Sequence, residues 1–283
     1  MKIIRTIEET KMILRKAKYS GKTIGFVPTM GSLHAGHMSL ASKSVRENDI
    51  TVASIFVNPT QFDRKEDLDS YPRNFEADLD MLTRENVDYI FAPLASEMYK
   101  DDYSTTVEVT GAITEKLCGE TRPGHFSGVA SVVSKLFNIV APTRAYFGQK
   151  DAQQVAVIQR MVRDLNMDVE IIPCPIIREE DGLALSSINA LLSERERADA
   201  LVLSRSLFEA KAMVENGEKN VELIKKKIID NIGLVQYAVI DYVEIVDAFT
   251  LANVDTIDGE ILIALAVFMG KPRLIDNIRL VTK

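Results

Sequence analysis

Ile24-Gly25-Phe26-Val27-Pro28-Thr29-Met30-Gly31-Ser32-Leu33-His34-Ala35-Gly36-His37 runs from an apolar, strand-like segment through a glycine-bearing turn into a helix start. That order marks the place where an α/β sheet takes a nucleotide. Gly31 and Gly36 let the backbone turn sharply and approach a ligand, and the amides opening the next helix, expected over residues 36–47, offer unpaired donors to an anion. His34 and His37 stand three apart, so they project from one face of the first turn and can reach the same phosphate chain. As imidazolium they would meet the charge that develops in phosphoryl or nucleotidyl transfer. Two plainer readings are a zinc pair and a polar turn. Zinc needs a third and a fourth ligand, and the other candidates, His125, Cys118 and Cys174, form no closely spaced pair.

With 283 residues, 46% hydrophobic and 27% charged, the chain has the composition of a soluble globular protein able to bury a real core. A net charge of −7 provides no general basic field, so no nucleic-acid partner is expected and any anionic substrate must be drawn by local cations. Two distant cysteines fit a reducing cytoplasm rather than a disulfide scaffold. Met1-Lys2-Ile3-Ile4-Arg5 lacks the sustained apolar segment of a signal peptide, and no run reaches the roughly 18 apolar residues of a membrane span, so no membrane association is expected.

Around the histidine stretch, the pattern predicts a helix over 6–18 and strands over 24–27, 50–57 and 87–93, with a helix ending near Glu85 before the third. Ser20-Gly21-Lys22-Thr23 resembles the tail of a P-loop but lacks its first glycine and its preceding strand, and reads as a turn. Asn58, Thr60 and Gln61 follow the second strand and can hydrogen-bond a hydroxylated ligand. A short strand is expected over 105–109, helices over 113–117 and 127–140, and Arg122 and His125 on the loop between those helices can approach an anion. Strand 145–147, Gly148-Gln149-Lys150-Asp151 and a helix over 152–166 repeat the opening logic. Lys150 is set to meet a phosphate, Asp151 is a natural helix cap, and Asp151 or Gln154 can hold a ribose or a second substrate. Strand 168–174 completes an α/β unit whose strand-helix alternation implies parallel order. Past a charged turn at 178–182 come long charged helices, 194–215 and 220–232, then strand-like runs 237–246 and 261–268, which read as a small α+β domain.

The set Pro28-Thr29-Met30-Gly31, His34-Ala35-Gly36-His37, Phe56-Val57-Asn58-Pro59, Gln61-Phe62, Arg122-Pro123-Gly124-His125-Phe126, Phe147-Gly148-Gln149-Lys150-Asp151-Ala152-Gln153-Gln154 and Arg273-Leu274-Ile275-Asp276-Asn277 closely resembles the pantoate–β-alanine ligase (pantothenate synthetase) family, in order and over the whole chain. The His-x-Gly-His element alone would indicate only the wider nucleotidylyltransferase superfamily, some of whose members transfer a nucleotide to a phosphate acceptor. The resemblance implies a Rossmann-like parallel sheet with helices on both faces over 1–177 and a smaller α+β carboxyl-terminal lid domain over 178–283. It also implies a cytoplasmic homodimer that uses ATP as co-substrate with Mg2+, and small-molecule partners pantoate and β-alanine joined through a pantoyl adenylate. His34, His37 and Lys150 would then be catalytic, at the ATP phosphates. Met30, Gly31, Gly148, Asp151, Ile177, Ser186 and Ser187 would complete the nucleotide site, and Gln61, Gln154, Asn58 and Arg122 would serve the substrates. No metal ligand follows from the motifs.

The chain departs from the family at Leu185-Ser186-Ser187-Ile188-Asn189, where Ile188 stands in place of an arginine expected to neutralise the leaving pyrophosphate. A lost charged contact of that kind costs about two to three decades in rate unless another cation, such as Arg178 or Arg195, reaches in. The second reading is therefore a catalytically weakened nucleotide- or pantoate-binding homologue. Leu191 replaces a family tyrosine, and Asp63-Arg64-Lys65 replaces a neutral loop with one that brings positive charge near the site.

Overall fold

The computed structural model describes every residue except Asp63, Arg64 and Lys283, so all but Lys65 of the charged loop replacement lies outside the described residues. The chain opens with β1 (Lys2–Ile4), α1 (Ile7–Tyr19), β2 (Ile24–Thr29), α2 (Ala35–Glu47) and β3 (Ile50–Ile55). It continues through α3 (Lys65–Ser70), α4 (Phe75–Arg84), β4 (Tyr89–Phe91), α5 (Ala95–Met98), α6 (Ala112–Glu115), α7 (Cys118–Thr121) and α8 (His125–Val140). Then come β5 (Arg144–Gly148), α9 (Ala152–Asp164), β6 (Glu170–Cys174), α10 (Glu194–Asp199), α11 (Leu201–Glu215), α12 (Val221–Ile232), β7 (Ala238–Asp247), β8 (Glu260–Met269) and β9 (Arg273–Val281).

The first six strands form one parallel sheet in the order β1-β4-β3-β2-β5-β6. Its strands alternate buried side chains between two layers. Phe26, Val52 and Phe147 pack with Leu14 of α1, Phe137 of α8 and Ile158 of α9 on one face, while Val27, Ala53 and Tyr146 pack with Met38 and Leu40 of α2 and Leu82 of α4 on the other. Because successive side chains point to opposite faces, two apolar layers require the near-continuous apolar strands seen in the sequence. After β2 the chain adds β3 and β4 on one side and then returns to place β5 on the other. The switch point therefore lies between the carboxyl ends of β2 and β5, where an open α/β sheet leaves a crevice.

The last three strands form a separate antiparallel sheet, β7-β8-β9, with its own core, in which Ile245, Ile263 and Leu265 pack with Leu203, Leu207 and Ile228 of α11 and α12. A further apolar cluster joins the two sheets: Phe126, Ala156 and Val157 from the first half meet Val246, Leu262 and Ala264 from the second.

Several expectations are corrected. Residues 105–109 form no strand; the Val107 amide instead donates to the Ser131 hydroxyl on α8 at 2.8 Å, so a helix side chain replaces a strand partner. The helix expected over 113–117 breaks at Leu117, whose φ is +54°, into α6 and α7. The helix expected over 194–215 divides at Ala200, where an i to i+3 bond from the Leu203 amide tightens the turn. Asp151 occupies the cap position of α9 without a side-chain capping bond.

Candidate active site

A cavity of about 310 Å³ opens at the switch point. Its wall includes His34 and His37, Met30, Gly148, Lys150 and Asp151, Ile177, Ser186 and Ser187, Asn58 and Gln61, Arg122 and Gln154. Of the residues that the sequence offered to the nucleotide or the substrates, Thr60 is not in the wall, and Gly31 stands behind it. Its φ of +81° turns the chain, and a Cβ there would lie 2.9 Å from an Asp78 carboxylate oxygen.

Asp78, on α4, is the residue that sequence reasoning missed. It is 2% exposed, and its two oxygens accept the Ser32 amide at 2.9 Å and the Leu33 amide at 2.7 Å. Ser32 has φ +53°, a left-handed conformation costly for a residue with a Cβ. The carboxylate thus stabilises the bend that delivers His34. Nothing local marks this pairing, because Asp78 reads as one more acid in a charged helix.

His34 caps α2, its Nδ1 accepting the Gly36 amide at 3.1 Å, and His37 Nδ1 accepts the His34 amide at 3.3 Å. The two rings lie 4.2 Å apart between centroids. With both Nδ1 atoms occupied as acceptors, a neutral ring carries its proton on Nε2 and presents an N–H donor there. Burial pushes the His37 value down to about 3, reinforced by His34 and Lys150. Burial and then Lys150 also lower His34, with Asp151 opposing. The imidazolium pair expected from the sequence is therefore corrected to two neutral donors: a buried site beside another cation disfavours charge.

Gln61 sits on a 3₁₀ turn (Pro59–Gln61) that touches α8 at Gly128, where a Cβ would approach the Thr60 carbonyl oxygen to 2.4 Å. Asn58 Nδ2 donates to Gln61 Oε1 at 3.2 Å and to the Gly128 carbonyl at 3.2 Å. Asn58 Oδ1 accepts from Tyr99 Oη at 2.7 Å and from the Thr60 hydroxyl at 3.1 Å. Asn58 thus orients Gln61 and keeps neither amide atom for a ligand, which corrects its assignment as a direct substrate group. His125 Nδ1 donates to the Gln61 carbonyl at 3.0 Å. Val129, Val132, Val133 and Leu136 of α8 add an apolar face to the cavity wall. Tyr71 also lines the cavity, and burial with the nearby Asp151 and Asp78 carboxylates pushes its hydroxyl up to about 12, so it remains a donor.

The serine loop carries no arginine into the cavity. Ile188 is 37% exposed and lies outside the wall, while Ser186 Oγ accepts the Ile188 amide at 3.3 Å. Arg178 is held in a bidentate pair with Asp276, and Arg195 pairs with Asp199 at 3.8 Å with its side chain 81% exposed. Neither substitutes for the missing cation; among the described residues, the lysine and arginine side chains in the wall are Lys150 and Arg122. Among the described residues, no three His, Cys, Asp or Glu side chains converge as a metal site. Among them, too, no helix is long and apolar enough to cross a membrane.

Sheet order, histidine helix start and switch-point cavity define a doubly wound α/β protein of the His-x-Gly-His type. A family model described as pantoate-beta-alanine ligase matches residues 2–279, and the chain belongs to that family. It is 58% identical to a pantothenate synthetase of Caldicellulosiruptor saccharolyticus over 98% of this chain and 99% of that one. It is 59% identical to a pantothenate synthetase of Acetivibrio thermocellus with the same coverage. The crystal structure of a pantothenate synthetase from Thermus thermophilus superposes with a TM-score of 0.93 at 42% identity, covering 98% and 99% of the two chains. That of the Francisella tularensis pantoate-beta-alanine ligase, complexed with beta-gamma ATP and beta-alanine, superposes with a TM-score of 0.79 at 35% identity, covering 98% and 97%.

Proposed function

We propose that this chain joins pantoate to β-alanine at the expense of ATP, through a pantoyl adenylate, releasing AMP and pyrophosphate. The observation that carries the reading is one cavity whose wall brings together phosphate-type donors (His34, His37, Lys150), two glutamine amides (Gln61, Gln154) and an apolar helix face. The glutamine amides and apolar face suit a branched hydroxy acid, and the histidines and lysine suit a nucleotide's phosphates. Relatives named as synthetases and matched over nearly their whole length support the ligase over the weakened binding homologue, which no observation favours.

Pantoate's carboxylate is ionised at neutral pH and needs no base. One carboxylate oxygen attacks the α-phosphorus, the bond to the β-phosphate oxygen breaks, and pyrophosphate leaves with its electron pair. The neutral Nε2–H groups of His34 and His37 and the Lys150 ammonium meet the charge that shifts onto the phosphates, so activation is positioning and electrostatics. The amine of β-alanine, having lost a proton, then attacks the acyl carbon; the acyl–oxygen bond to AMP breaks and a second proton leaves the amide nitrogen. Met30 and Gly148 act through their backbones, Asp151 holds the ribose, Ile177 lies against the nucleotide, Ser186 and Ser187 donate to phosphate oxygens, and Arg122 draws the acidic substrates.

The donor set fits Mg2+ only as an ion that arrives with the nucleotide, since among the described residues Asp151 is the acidic side chain in the wall and Mg2+ is usually held by one or two carboxylates, phosphates and waters. There it would offset phosphate charge. We propose further that residues 1–177 hold ATP and pantoate, that 178–283 act as a lid, and that the protein works as a cytoplasmic homodimer. An ATP–pyrophosphate exchange assay is the direct test. Exchange should require pantoate, and AMP formation should require β-alanine as well; release of ADP and phosphate instead would overturn the reading.

A further inference from the structure

The Arg273-Leu274-Ile275-Asp276-Asn277 stretch belongs to the family resemblance, yet neither Asp276 nor Asn277 lines the main cavity. Both are buried, at 3% and 4% exposure, and their hydrogen bonds run in two directions. Asn277 Nδ2 donates to the Gln149 carbonyl at 3.0 Å and the Lys150 carbonyl at 2.9 Å, holding the turn that presents Lys150. Asp276 accepts both terminal nitrogens of Arg178, at 2.7 and 2.9 Å, and also the Asn277 amide at 2.7 Å. Arg178 donates in turn to the Gly182 carbonyl at 3.2 Å, and its backbone bridges to Ala184, just before Ser186 and Ser187 enter the cavity wall. Two adjacent residues of β9 thus grip the roots of both loops that supply the cavity with its lysine and its serines.

One detail shows what the grip on Lys150 asks of the side chain. Asn277 Oδ1 is buried with no hydrogen-bond partner among the described residues, a condition that folded proteins rarely tolerate. The two carbonyls need two donors from one short neutral side chain, and an amide brings its acceptor along. Aspartate would set a carboxylate against two carbonyl oxygens.

We propose that Asp276 and Asn277 are positioning residues that fix the Lys150 turn to the root of the serine loop, so that ammonium and hydroxyls are held together in the cavity wall. The proposal rests on the reading that Lys150 meets the phosphates of ATP. It predicts an effect that passes through Lys150 and leaves pantoate binding unchanged. The test measures pantoate-dependent ATP–pyrophosphate exchange in the full chain and in Asn277→Ala, Lys150→Ala and the double variant. Asn277→Ala should lower kcat at least about tenfold while leaving the KM for pantoate within about twofold. In the Lys150→Ala background the same change should cost nothing further, because the group it positions is gone. Additive losses, an equal rise in the pantoate KM or unchanged exchange would overturn the proposal. Should Asn277→Ala melt below the assay temperature, Asn277→Ser, which keeps one donor, should show a smaller loss with the same non-additivity; additivity there overturns it equally. An unaltered chain without pantoate-dependent exchange overturns the ligase reading itself, whereas exchange with additive losses overturns this proposal alone.

Discussion

His37 is where the chemistry of the site and the stability of the fold meet. Its value in the folded chain, about 3, lies below the ordinary 6.5, so the unfolded chain takes up the proton first as pH falls. Stability from the neutral ring is therefore complete above about pH 6.5 and is lost toward pH 3, at about 1.4 kcal/mol per unit once the unfolded ring is charged. In urea titrations between pH 6 and 4.5, His37→Gln, which cannot titrate, should show a shallower fall in unfolding free energy than the unaltered chain by roughly that slope. Equal slopes would remove His37 as the cause. The pairing of His34 with His37 was legible from their spacing, but their charge state was not, because it depends on burial and on two backbone amides that occupy Nδ1. Ile188 shows the opposite limit. The sequence marks a missing arginine, while the fold leaves the side chain 37% exposed and outside the wall. Ile188→Arg should accordingly change turnover by less than about tenfold, well short of the two to three decades expected for a lost transition-state cation; a gain of a hundredfold in steady-state kcat would restore the weakened-enzyme argument.

At the level of elements, the site depends on how closely α8 approaches the turn that carries Gln61. Gly128 permits that approach, since a Cβ there would sit 2.4 Å from the Thr60 carbonyl oxygen and 2.7 Å from Gln61 Cα. Both obstacles are backbone, so the turn must move. Gly128→Ala should destabilise the chain by about 1–3 kcal/mol, the usual range for overpacking, and should raise the KM for pantoate about tenfold while the KM for ATP stays within about twofold. A uniform loss in both would place the strain elsewhere. Elements with a strong periodic signal, such as β2, α2 and α8, were legible because each buries a wide apolar face. β1 was not, since three residues carry too little pattern to register and their partner, β4, lies far along the chain. Residues 105–109 alternate like a strand but spend their backbone on Ser131, and a sequence pattern cannot tell a helix partner from a strand partner.

Across the whole molecule, strand-helix alternation indicated a parallel sheet, but the side of β2 on which β5 would settle was not written in any local pattern. That choice creates the switch point and therefore the cavity. The second determinant of the whole is the apolar cluster between the two sheets. Leu262 is 2% exposed on β8 and shares a cluster with Phe126, Ala156 and Val157, which lie on the two helices bordering the site. It therefore couples the antiparallel sheet to the walls of the cavity in addition to its own layer. Two units joined through a shared buried cluster unfold together when breaking the joint costs more than either unit can retain alone. The chain should melt in one calorimetric transition, and ATP with pantoate, at about a hundred times their dissociation constants, should raise the free energy of that single transition by about 2.7 kcal/mol for each ligand that binds independently. Leu262→Ala should lower unfolding free energy by about 2–5 kcal/mol, as for other buried leucines. Because the lost contacts join the two halves, it should also split the melt, with only the transition that includes the cavity still answering to ligand. A lowered but single transition that responds fully to ligand would locate Leu262 inside one sheet's own core and leave the two sheets uncoupled through it.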